Sequence, residues 1–122
     1  MGSLASKHDI LTAQDWDTTT FDVEKWGTVR IRSLSAKERL DLIRLAGGAD
    51  GQLANDEAMK FYVSIIAMSL IDEAGQQIFD AANDEDIAML QTRCWARLEH
   101  VATKIMEFNG MATDEQKEMV KN

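Results

Sequence analysis

Proline is absent from this chain, and cysteine occurs once, as Cys94. A single cysteine excludes an intrachain disulfide and a cysteine cluster for zinc, and it suits a reducing cytoplasm. Histidine occurs only as His8 and His100, far apart and without partners at ligand spacing, so no metal site is expected. Long apolar runs are missing too. The longest, residues 65–70 with its flanks, is broken by Ser64, Ser69 and Asp72, too early for a transmembrane helix. The N-terminus lacks the basic start and apolar stretch of a signal peptide. Positive charge is in deficit: Lys+Arg number 13 against Asp+Glu 21, a net charge of -8. Such a chain repels phosphate backbones, and no basic patch or polybasic run offsets this. Neither nucleic acid nor an anionic membrane is therefore an expected partner. No internal repeat or low-complexity tract is present.

What remains is an ordinary globular composition, with 45% hydrophobic and 28% charged residues over 122 positions. That length suits a single domain, 1–122, able to bury a core without disulfides or metals. Residues 1–5 are expected to be disordered. Ser6 and Asp9 then form a weak capping box for a short helix to about Ala13. From Thr18 to Leu34 the period becomes two. Phe21 and Val23 alternate with Asp22 and Glu24, and Val29 and Ile31 with Arg30 and Arg32, as in two half-buried strands. Gly27 supplies the positive φ of a hairpin between them, and acidic Asp22 and Glu24 are expected to oppose Arg30 and Arg32.

Ser35 and Glu38 make a clean capping box for a helix with Leu40, Leu42, Ile43 and Leu45 inward, ended by Gly47-Gly48. Residues 46–55 read as a mobile loop. Asn55 or Asp56 caps a helix from about Glu57 to Ile71. Its Phe61, Tyr62, Ile65, Ile66, Met68 and Leu70 cover most of the circumference, so it is buried on several sides, in part by another subunit. A tight turn around Gly75 precedes a short extended run. Asn83 or Asp84 caps a brief helix through Ala88, Met89 and Leu90. The last long helix, Arg93 to Asn109, aligns Cys94, Leu98, Val101, Ile105 and Phe108, and Gly110 ends it. Thr113 and Gln116 form a further capping box. The fold class is α+β, mainly α-helical: an N-terminal β-hairpin followed by a small helical bundle with a short second hairpin.

No catalytic pattern emerges. Asp84-Glu85-Asp86 lacks the spacing of a calcium loop and reads as the anionic first turn of a helix. Gly47 to Gly51 lacks the ending of a phosphate loop. Cys94 reads as a small core filler, His100 as a surface residue beside Glu99, and Trp95 as core. Trp26, at a hairpin tip, either folds back on the sheet or stands out as an anchor for a partner. The 7 methionines either fill gaps in the core or form an adaptable surface for helical partners. The expected chain is not an enzyme and holds no cofactor.

Two stretches nonetheless stand out in combination. The first runs from Glu24-Lys25-Trp26-Gly27 through Val29-Arg30-Ile31-Arg32 to Ser35-Ala36-Lys37-Glu38-Arg39, and the second from Leu70-Ile71-Asp72-Glu73 to Ile78-Phe79. Phe108-Asn109-Gly110-Met111 follows, with an acidic segment ending in Lys121-Asn122. In this order they resemble the tail assembly chaperones of long-tailed bacteriophages, the lambda-like tail chaperone family. The likeness runs from about Ile10 to Asn122. It departs from the family in the Gly-rich 46–55 loop and in Met111, where Leu is expected.

The resemblance implies a non-enzymatic protein of the host cytoplasm, absent from the finished virion. Such proteins bind the long helical tape measure protein, keep it soluble and help recruit the tail tube protein. Many self-associate, and many have a longer form made by a −1 ribosomal frameshift. Val120-Lys121-Asn122 permits a matching slippery codon run. Candidate protein-binding residues are Trp26, Phe61, Ile65, Met68, Met111 and Met119, with self-association expected through the Glu57–Ile71 helix. A head–tail connector or tail terminator retained in the particle is the alternative reading, and a small hydrolase or metal enzyme a third.

Overall fold

The computed structural model describes residues 4–45 and 55–111, with side chains in the second stretch described from Ala58 onward. The elements in chain order are α1 (Lys7–Thr12), β1 (Thr18–Val23), β2 (Gly27–Arg32), α2 (Ala36–Leu45), α3 (Asn55–Ser69), β3 (Leu70–Ile71), α4 (Asp84–Gln91) and α5 (Trp95–Phe108). The result is a mainly helical α+β fold. Its antiparallel sheet, in the order β1-β2-β3, lies against helices.

The helix starts follow their caps. Ser6 and Asp9 exchange both bonds of a capping box at α1. At α2 the Glu38 amide donates to Ser35 Oγ (3.1 Å) and the Ser35 amide donates to Glu38 Oε1 (2.9 Å). Asn83 Oδ1 accepts from the Asp86 amide at α4 (3.0 Å). The β1–β2 hairpin turns through Lys25 (φ 72) and Gly27 (φ 100), and Gly110 (φ 69) ends α5. The expected loop lies outside the described residues except for Asn55, which begins α3. The expected Thr113 cap, Met119 and residues 1–3 also lie outside them.

α3 is the axis of the core. Val63, Ile65, Ile66 and Ala67 are fully buried, and α2, α4 and α5 all pack on the helix. From α5 come Leu98, Val101, Ala102 and Ile105; from the sheet come Val23 and Ile31. Burying such side chains is worth roughly 1.5–3 kcal/mol each. The burial of these α3 side chains is therefore supplied by this chain itself.

Several details differ from the sequence reading. The helix that was expected to reach Ile71 stops at Ser69, because Leu70 and Ile71 pair with Ile31 and Arg30 as a third strand. That pairing gives the second side of β2 its backbone partners, which a continued helix would leave unmet. The chain then turns at Gly75 (φ 82), and the Ile71–Gln77 bridge forms the short second hairpin. The expected cross-strand charge pairs do not form. The register sets Asp22 opposite Thr28, Thr20 opposite Arg30 and Thr18 opposite Arg32. Asp22 instead accepts from Thr28 Oγ1 (2.7 Å), and Arg32 turns to Glu38.

On α2 only one narrow stripe meets α3, so Leu42 is buried while Leu40 and Ile43 are exposed. On α4, Leu90 is buried and Met89 exposed. Cys94 is not in the core: it is the exposed cap residue of α5 (ψ 129), one step outside the helix whose period it shares. Trp95, in the first turn of α5 at the rim of the core, is 46% exposed rather than buried.

Candidate protein-binding site

The segments quoted for the resemblance meet around one strand end. Arg32, last in β2, forms a two-pronged ion pair with Glu38 of α2 (2.7 and 3.0 Å). Its carbonyl accepts from Ser69 Oγ at the end of α3 (2.6 Å). Two residues on, the Leu34 amide donates to Asn109 Oδ1 (2.8 Å), while Asn109 Nδ2 donates to the Ile105 carbonyl (2.8 Å). The Met111 amide closes back on the Met106 carbonyl (2.7 Å). Gln77 Nε2 donates to the Met68 carbonyl (3.0 Å), fastening the second hairpin to α3. The hairpin, the capped helix, the second hairpin and the Asn109-Gly110 stop are thus bonded into one unit.

Burial alone would raise the Glu38 carboxyl's pKa. The Arg32 guanidinium and the Ser35 amide outweigh it and hold the group below its ordinary value. In the aromatic cluster farther along, burial and the nearby Glu99 charge push the Tyr62 hydroxyl up.

The hairpin tip forms the second part of the site. Trp26 is half-buried and packs against the core. Arg97, in the first turn of α5, donates from Nε to the Glu24 carbonyl (2.9 Å) and lies 3.7 Å from the Glu24 carboxylate. The tip is thereby tied to the start of α5. There Trp95 leans over Tyr62, centroids 5.2 Å apart, and Tyr62 meets Phe61 edge-on at 6.1 Å. Cys94 caps the same helix end. The Ala96 and Arg97 amides, with the charges of Arg97 and Lys25, lower its thiol pKa.

The candidate residues separate into two groups. Phe61 and Ile65 are core residues, closed to any partner while the fold is intact. Trp26, Met68 and Met111 are partly buried and border the core. The large exposed apolar residues lie elsewhere, at Leu4, Ile10, Leu11, Leu40, Ile43, Met89 and Trp95 among others. Of these, Trp95 is hidden in the sequence because its spacing from Leu98 matches the buried stripe. Only the helix start at Cys94 reveals that its turn overhangs the core. Ile10 and Leu11 give no signal in the sequence, because α1 is too short for periodicity to show a face.

Among the described residues, no group of three or more His, Cys, Asp or Glu is placed to hold a metal ion. No helix among them is long and apolar enough to cross a membrane. No family model, curated protein or solved structure matches the chain.

Proposed function

We propose that this chain is a phage tail assembly chaperone that binds the tape measure protein and keeps it soluble while the tail is built. One observation carries the reading: the ordered set of motifs that resembles this family is bonded together around Arg32, Ser69 and Asn109.

The surface chemistry is compatible with the role. A tape measure presents long apolar helical stripes, and an exposed tryptophan backed by tyrosine is a suitable anchor for them. In this reading Trp95 and Tyr62 make that contact, with Trp26 holding the tip in place behind them. Met68 and Met111 border the surface without leading it. The net charge of -8 keeps the holder dispersed while it covers apolar partner surface. Self-association, a longer frameshifted form that recruits tail tube protein, a host-cytoplasmic location and absence from the virion all belong to the same proposal.

The test is co-expression of the chain, tagged at its N-terminus, with the tape measure protein of the same phage, followed by affinity purification. The expected result is co-elution that weakens in the Trp95→Ala variant. A chain that elutes alone but is found in purified virions is instead a structural component of the particle.

A further inference from the structure

Among the described residues, β1 is the outer strand of the sheet, with β2 on one side and no strand on the other. The ladder fixes which backbone groups face outward. The Ser33 amide donates to the Asp17 carbonyl (2.8 Å), which makes that pair a bonded one in the β1–β2 register. Bonded pairs alternate along an antiparallel ladder, so Thr19 and Phe21 also turn their backbone groups toward β2. Thr18, Thr20 and Asp22 turn theirs outward, where no backbone partner meets them among the described residues. Among the described residues, the only one of the usual protections of such an edge that the strand carries is the single charge of Asp22. The strand runs six residues, Thr-Thr-Thr-Phe-Asp-Val, without lysine, proline or bulge.

A second, independent feature lies just upstream. α1 buries none of its residues, and Leu4, Ile10 and Leu11 are 98%, 62% and 71% exposed. A helix of six residues does not hold itself together in water, even with its capping box, and gains stability by laying its apolar side on a surface.

We infer that the occupant of both is a second copy of this chain. The two β1 strands pair edge to edge, antiparallel, about a two-fold axis at Thr20, and each α1 lies on the other copy. This deepens the chaperone reading by giving the self-association it includes a defined surface. The outward groups allow pairing only between residues of the same parity. With the axis at Thr20, Thr18 faces Asp22 of the second copy and Thr19 faces its Phe21. Each Asp22 carboxylate then opposes a hydroxyl, whereas an axis at Asp22 would set two carboxylates face to face. Beyond the strands, Asp15 comes level with Lys25 of the second copy, opposite in charge. α1 leaves β1 at its N-terminal end and so reaches the hairpin tip of the second copy. That end carries half-buried Trp26, and Arg97 ties its Glu24 carbonyl to the start of α5. The interface is isologous and closes on itself, leaving no β1 edge open.

Sedimentation equilibrium of the full chain over a concentration series tests this, with Thr20→Pro and Thr20→Lys alongside. Proline at position 20 removes only an outward N–H and leaves the ladder to β2 intact. Lysine there sets like charges across the axis. The wild type is expected to pass from the one-chain to the two-chain mass, more readily in salt because each copy carries net charge -8. Both variants are expected to stay at the one-chain mass where the wild type is fully paired. Hydrogen exchange of the wild type supplies a readout independent of variant folding: the Thr18, Thr20 and Asp22 amides become protected as concentration rises. A wild type that keeps the one-chain mass throughout overturns the proposal. So does a two-chain species in which those amides remain unprotected. Tape measure solubility is scored separately, so failure of the chaperone role and failure of this pairing are distinguishable.

Discussion

Arg32 and Glu38 show how much one residue pair can carry. The guanidinium joins β2 to α2 while Glu38 also completes the capping box with Ser35. Because the folded carboxyl titrates below its ordinary value near 4.5, its stabilising contribution is complete above that value. It is lost as pH falls through the lowered folded value. Glu38→Gln is expected to cost about 1–2 kcal/mol at neutral pH, and its stability should fall less steeply than the wild type's below pH ~4.5. Urea unfolding at a series of pH values measures both, and parallel pH profiles for the two proteins would remove Glu38 from this role. The same scale separates core from surface. Ile65→Ala empties a fully buried site and is expected to cost about 2–5 kcal/mol. Trp95→Ala, at a 46% exposed site packed on Tyr62, should cost about 1–2 kcal/mol in thermal unfolding, less than Ile65→Ala, while weakening tape measure binding. Equal losses from the two substitutions would contradict the assignment of Trp95 to the surface.

At the scale of elements, caps and turns were legible in the sequence because they are local. Ser6, Ser35, Asn83, Gly27 and Gly110 each act on residues a few positions away, and each does what its type suggests. Features that depend on distant contacts were not legible. Leu70-Ile71 reads as helix by composition and becomes strand because β2 lies beside it. Leu40 and Ile43 share the apolar period of Leu42 and Leu45, yet α2 meets α3 along one stripe only. Cys94 fits the period of α5 but precedes its first turn. The bonds that join elements were equally hidden. Asn109 and Ser69 look like ordinary polar residues near helix ends, but Asn109 Oδ1 accepts from the Leu34 amide and Ser69 Oγ donates to the Arg32 carbonyl. Removing either leaves a partly buried backbone group without its partner. Asn109→Ala and Ser69→Ala are each expected to lower stability by about 1–3 kcal/mol in chemical denaturation. A loss of only a few tenths would show that water replaces the bond at no cost.

For the whole molecule, fold class followed from the switch between period two and helical period, and the structure has that class. The candidate site was less legible. Apolar residues on α3 looked like a surface for partners, but α2, α4 and α5 already cover it, so Phe61 and Ile65 serve the core. Exposed apolar surface lies instead on α1, on the outer side of α2 and at the start of α5. A well-packed body that keeps apolar residues at its margins, under an acidic net charge, suits a protein that holds another chain in solution.

The central claim is tested most directly by the solubility of the tape measure protein. That protein would be produced alone, with this chain, and with its Trp95→Ala variant, and its share in the soluble fraction measured after lysis. The result expected is an insoluble tape measure alone, a soluble one with the wild-type chain, and intermediate recovery with the variant. A tape measure equally insoluble in all three cases, with this chain itself folded and soluble, would contradict the account.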